Sequence, residues 1–203
     1  MGRILGNRFI LVAAALVVLL AVLGAVGWRL LVPQGGAGGT ALVGGPFTLT
    51  DQAGNQVTEA DFEGRFMLIY FGYTYCPDFC PMSLSTMVQA LDLLTPEEAE
   101  QVVPIMITID PARDTVAQLA DYVPLFSPRL VGLTGTEDQV TAAAKAYRVY
   151  FNKVEQDQPD AYLMDHSTFI YLMGPDGEYR RHFGANAPPE ELAEGLRAEL
   201  AQG

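Results

Sequence analysis

Cysteine is scarce in this chain: 203 residues hold two, Cys76 and Cys80, too few for a fold stapled by several disulfides. Histidine is as rare, so an imidazole ligand must come from His166 or His182. Acidic residues are missing altogether before Pro46, and from Phe9 to Trp28 there is no charge of either sign. At about 1.5 Å per residue, a helix of that length spans roughly 30 Å of hydrocarbon, which predicts one membrane crossing over residues 9–32. The apolar stretch exceeds the roughly 7 to 15 residues of a signal peptide and lacks a clean small-x-small cleavage site, so an uncleaved anchor is expected. Arg3 and Arg8 precede the crossing and outweigh Arg29 after it, which keeps residues 1–8 inside and exports the remainder. Nothing before Phe9 resembles an Arg-rich and Ser-rich transit peptide. That points to a bacterial inner membrane, with the exported part in the periplasm.

Residues 33–45 contain Gly35, Gly36, Gly38, Gly39, Gly44 and Gly45, a composition that behaves as a flexible tether. Residues 46–203 then form one domain, with no internal repeat. All 24 acidic residues lie there against nine of the twelve basic ones, a formal charge of −15. Such a surface repels phosphate backbones and excludes nucleic acid as a partner. It attracts cations or a basic protein face, or serves only to keep the domain soluble.

Short apolar runs rich in branched and aromatic residues, Phe66 to Phe71, Val103 to Ile109, Leu130 to Leu133 and Phe169 to Met173, predict buried strands. Between them the sets Leu84, Met87, Val88, Leu91, then Val116, Leu119, Ala120, Val123, then Val140, Ala143, Ala144, Tyr147 follow helical spacing. Thr136 and Gln139 stand in capping-box spacing at the start of the third helix. Gly174-Pro175-Asp176-Gly177 predicts a hairpin into Tyr179 to Phe183, and Pro188-Pro189 opens a last helix. The order β-α-β-α-β-α-β-β-α predicts an α/β domain with a central mixed sheet flanked by helices. This is the order of thioredoxin-like folds.

The chemistry concentrates in Gly72-Tyr73-Thr74-Tyr75-Cys76-Pro77-Asp78-Phe79-Cys80-Pro81, a strand-to-helix turn. With Pro77 at the first helical position the helix is expected to begin near Cys76, so that both cysteines share one face. A helix start favours thiolate over thiol, as metal binding and thiol exchange both require. An inert structural disulfide is the competing reading, but a loop this short is a poor staple. Two thiolates want a third donor. His166 stands just before the Phe169 to Met173 strand, where the entering loop of a thioredoxin-like fold lies against the start of the cysteine helix. Soft thiolates with imidazole favour copper over calcium or magnesium, although zinc is also accommodated. His182 reads as a solvent-facing strand residue, and Met82 and Met164 read as packing. Asp78 suits the helix dipole. Asp110, Arg113 and Asp114 read as a helix start, with an Asp cap and an Arg–carboxylate pair. Glu155 to Asp160 reads as a solvated loop or a docking surface leading into His166.

The cysteine motif, Ile109-Asp110-Pro111-Ala112-Arg113-Asp114-Thr115, and Asp165-His166-Ser167 before Phe169-Ile170-Tyr171-Leu172 together resemble the Sco (SenC) family of copper chaperones for cytochrome c oxidase. The resemblance runs from Pro46 to Leu200. It implies a membrane-anchored thioredoxin-like metallochaperone that binds Cu(I) or Cu(II) through Cys76, Cys80 and His166. It further implies a copper-bearing oxidase subunit or another copper protein as partner, with copper delivery or reduction of that site's cysteines as the task. The alternative is an exported thiol–disulfide oxidoreductase that uses Cys76 and Cys80 as a redox-active pair without metal. Against it, the spacing is not C-x-x-C and no proline immediately precedes the Phe169 strand. A thiol peroxidase fits less well, since Thr74 stands two residues before Cys76, not three, and Trp28 lies in the anchor.

Overall fold

The computed structural model describes residues 43–156 and 162–202. The expected membrane segment, residues 33–42 of the tether, and 157–160 of the polar stretch lie outside them. Among the described residues no helix is long and apolar enough to cross a membrane.

Seven strands form the main sheet: β1 (Thr48–Asp51), β2 (Gln56–Thr58), β3 (Phe66–Gly72), β4 (Val102–Thr108), β5 (Val131–Thr134), β8 (Ile170–Met173) and β9 (Tyr179–Phe183), in the order β2-β1-β5-β4-β3-β8-β9. β3 lies parallel to β4, and β4 to β5. The pairs β1–β5, β3–β8 and β8–β9 are antiparallel. The mixed sheet expected from sequence is therefore present, and its centre is where the continuous apolar runs fell. Every residue of β3 and of β4 is buried, as strands covered on both faces require.

Among the described residues five α-helices accompany the sheet: α1 (Phe79–Asp92), α2 (Pro96–Glu100), α3 (Val116–Tyr122), α4 (Glu137–Ala146) and α5 (Pro189–Leu200). Successive residues of a strand face opposite sides. Tyr70 of β3 meets Cys80 of α1, while Phe71 meets Tyr147 at the end of α4, so these two helices cover opposite faces. α5 packs beside α1. The expected capping box opens α4: the Gln139 amide donates to the Thr136 hydroxyl, and the Thr136 amide donates to the Gln139 side chain. The Gly174–Gly177 hairpin forms between β8 and β9, with Gly177 at a φ of +75° that favours glycine.

Two features lack a strong sequence signal. The β1–β2 hairpin extends the sheet by two short strands. A separate two-stranded sheet, β6 (Phe151–Glu155) with β7 (Tyr162–His166), stands apart from the main one. All but one residue of β6 is exposed, and none is buried, so no apolar alternation marks it as a strand.

Candidate metal and thiol site

β3 delivers the chain to Gly72, and the turn that follows carries Cys76, whose amide donates to the Tyr73 carbonyl at 3.3 Å. α1 begins at Phe79, with Asp78 at its cap position, not near Cys76 as expected. Cys76 and Pro77 therefore belong to the turn. Pro81 explains the shift: it has no N–H, and only the first four amides of a helix lack an internal partner, so the cap cannot precede Asp78 without placing proline in the interior. Asp78 makes no side-chain cap bond.

The two sulfurs nevertheless meet. The Cys80 amide, one of the unpaired donors of the helix start, points at Cys76 Sγ at 3.4 Å. Both cysteines are free; Cys80 is buried and Cys76 half-buried. The Cys80 thiol and the amides of Cys80 and Asp78 donate toward Cys76, holding its pKa down to about 3 against some desolvation. Cys80 moves the other way, because its proton is held by Cys76 and because it is buried. The pair carries one negative charge, and it rests on Cys76.

His166 ends β7 in register with Phe151; it sits in a strand, not in the expected entering loop. Its Nε2 is 3.6 Å from Cys80 Sγ, and its Nδ1 is 2.8 Å from the Ser167 carbonyl. A carbonyl only accepts, so Nδ1 carries the proton and the Nε2 lone pair faces the sulfurs. Tyr70 and Tyr73 flank the imidazole edge-on, with ring centroids at 6.1 and 6.0 Å. The Tyr70 hydroxyl donates to Cys80 Sγ at 3.7 Å. Gly72 permits this packing, since a Cβ there would stand 2.7 Å from the Tyr70 ring and 3.0 Å from Cys80 Sγ.

A thiolate sulfur and an imidazole nitrogen on one tetrahedral ion such as zinc are separated by about 3.5 Å, close to the Cys80–His166 spacing. The full set is less tightly gathered. Among the described residues no three His, Cys, Asp or Glu side chains stand as a closed metal-binding group. The site opens into a cleft of about 410 Å³ whose lining includes Cys76, Phe79, Leu163 and His166. A larger groove of about 560 Å³, behind the β6–β7 hairpin, is lined by none of Cys76, Cys80 and His166. Met82 points into solvent, Met164 packs against the core, and His182 is exposed.

The Asp110-Arg113-Asp114 stretch does more than start a helix. Thr115, not an aspartate, caps α3, accepting from the Gln118 amide. Asp114 is fully buried and accepts from the Thr74 amide at 3.0 Å, the Thr74 hydroxyl at 2.6 Å and the Thr108 hydroxyl at 2.7 Å. Burial raises its pKa, and the donors oppose that. Asp114, forty residues from Thr74 in sequence, thus ties the cysteine turn to β4. The Arg–carboxylate pair expected from sequence is present, between Arg113 and Asp110 at 2.5 Å. No local pattern announced the Asp114 link, because its partners come from other elements.

Comparison with known proteins places the chain in a family. The SCO1/SenC family model matches residues 35–201. The chain is 44% identical over 163 residues to the human Protein SCO1 homolog, mitochondrial, covering 80% of this chain and 54% of the human protein. It spans about half the length of the curated relatives it matches. Bradyrhizobium japonicum ScoI, solved with copper bound, superposes with a TM-score of 0.71 at 42% identity, covering 77% of this chain and 99% of that one. Yeast Sco1, also solved with copper bound, gives 0.74 at 40% identity, covering 80% and 90%. The thioredoxin-like sheet, the cysteine turn and a family match over most of its length together establish that the chain belongs to the SCO1/SenC family.

Proposed function

We propose that this protein is a copper metallochaperone that carries Cu(I) or Cu(II) on Cys76, Cys80 and His166. It delivers the metal to the dinuclear copper site of cytochrome c oxidase, or reduces the cysteines of that site. One observation carries the reading: a half-buried thiolate, a second sulfur and an imidazole lone pair face one another at the floor of an open cleft. Soft sulfur donors with imidazole suit copper, and relatives at about 40% identity have been solved with copper bound. The oxidase comes from the family resemblance. Residues 9–32 anchor the chain in a bacterial inner membrane, and the domain from residue 46 onward faces the periplasm.

The test titrates the reduced full-length chain with Cu(I) against a competing chelator, beside Cys76→Ser, Cys80→Ser and His166→Ala. Stoichiometric binding is expected in the wild type, with loss of at least tenfold in affinity in each variant. Stoichiometric, undiminished binding in all three variants would falsify the assignment.

A second reading, thiol–disulfide exchange without metal, draws on the asymmetry of the pair. Cys76 is held as the attacking thiolate, and Cys80 keeps its proton as the resolving thiol. Rapid turnover of a reporter disulfide, indifferent to copper, would favour it.

A further inference from the structure

Arg113 belongs to neither the cysteine turn nor the β6–β7 hairpin, yet it touches both. Its guanidinium lies 3.6 Å from the ring centroid of Tyr162, the first residue of β7, and 4.7 and 5.7 Å from those of Tyr75 and Tyr73 in the cysteine turn. Its Nη1 donates to the Tyr162 carbonyl at 3.0 Å. Its Nε donates to Asp110, and Asp110 in turn accepts from the Tyr162 hydroxyl at 2.9 Å. Tyr162 is therefore held by its ring, its hydroxyl and its main chain at once. A planar, always-charged fork that stacks and donates in several directions is what arginine supplies and lysine does not.

The hairpin needs such a hold. Among the described residues β6 and β7 pair only with each other, and an isolated two-stranded hairpin is marginal in water. His166 lies at the far end of the same strand, and its imidazole must reach sulfurs carried by a different element. Tyr73 closes the circuit, since its ring stacks edge-on against His166 and its hydroxyl lies by the Met164 main chain of β7 and the Cys76 sulfur.

We infer that Arg113 is a positioning residue for copper: clamping Tyr162 between Asp110 and the cysteine turn, it fixes β7 so that His166 presents Nε2 to Cys76 and Cys80. The inference rests on the copper reading above. Arg113 touches no metal; it sets where the imidazole stands.

The experiment measures Cu(I) affinity by chelator competition on the reduced full-length chain, for wild type, Arg113→Met, Arg113→Lys, His166→Ala and the Arg113→Met/His166→Ala double variant. Arg113→Met is expected to weaken binding about 10- to 100-fold, the range seen when groups that orient a metal ligand are lost. The double variant should bind no more weakly than His166→Ala alone, because both changes remove the same contact. Arg113→Lys should restore little, although it keeps the charge. Alkylation of Cys76 at pH 6 should stay within about twofold of wild type, a readout that a general loosening of the site would move. Wild-type affinity in Arg113→Met, or losses that multiply in the double variant, would overturn the inference and leave the chaperone reading intact. Undiminished binding in His166→Ala would instead remove histidine from the site and the inference with it. Where Arg113→Met fails to fold, Tyr162→Leu takes its place, with the same non-additivity toward His166→Ala expected and multiplying losses counting against the clamp.

Discussion

At the scale of single residues, the decisive fact is that two cysteines four positions apart receive opposite treatment. Cys76, half-buried at a helix start, faces donors, whereas Cys80 is enclosed by Tyr70, Gly72 and His166. In the unfolded chain both thiols stay protonated below about pH 8.5, but the folded pair holds only one proton from about pH 3 upward. The unfolded state therefore binds the extra proton across that window. Stability of the reduced protein rises with pH from about 3 to about 8.5 on this account, and falls as pH drops back through it. Denaturant titrations at pH 5 and pH 8 should show a larger gain for wild type than for Cys76→Ser, and equal gains would refute a native thiolate. Alkylation by iodoacetamide gives a second check. Cys76 should react at pH 5 within about threefold of its pH 8 rate, whereas an ordinary thiol slows roughly a thousandfold.

At the scale of elements, the site is assembled from three pieces: the turn after β3, the turn after β4, and the β6–β7 hairpin. Asp114 joins the first two. Replacing it with alanine strands three donors, two on Thr74 and one on Thr108, and unpaired buried donors cost about 1 to 3 kcal/mol each. Asp114→Ala should therefore lose about 2 to 5 kcal/mol in urea unfolding of the reduced protein, among the larger single-residue effects. A loss below about 1 kcal/mol would mean that packing alone holds the cysteine turn. The elements themselves were unevenly legible in the sequence. β3 and β4 showed as continuous apolar runs because they are buried on both faces, and α4 showed because its capping box is local. β6 did not show, since its exposed residues carry no period, and α1 starts about two residues later than its sequence suggests because Pro81, lacking an N–H, fits only with Asp78 at the cap.

For the whole molecule, the apolar amino end is proposed to hold the acidic domain at a membrane. The proposed anchor predicts that the chain in cells resists alkaline carbonate extraction from the membrane fraction. Cys76 should also react with a membrane-impermeant maleimide applied to spheroplasts, because the cleft opens to solvent; labelling only after lysis would reverse the assigned orientation. The amino-acid sequence by itself determined the α/β order, the central strands and the closing hairpin, and singled out Cys76, Cys80 and His166 as candidate donors, because periodicity, turn chemistry and ligand softness are properties of neighbouring residues and of side-chain chemistry. Only the tertiary structure decided which sulfur carries the charge, which imidazole nitrogen faces it, and that Asp114 and Arg113 support the site. Those outcomes combine local contacts, such as that of His166 with the Ser167 carbonyl, with contacts between residues forty to eighty-six positions apart, and the long distances close only when the sheet has brought the ends of its strands together.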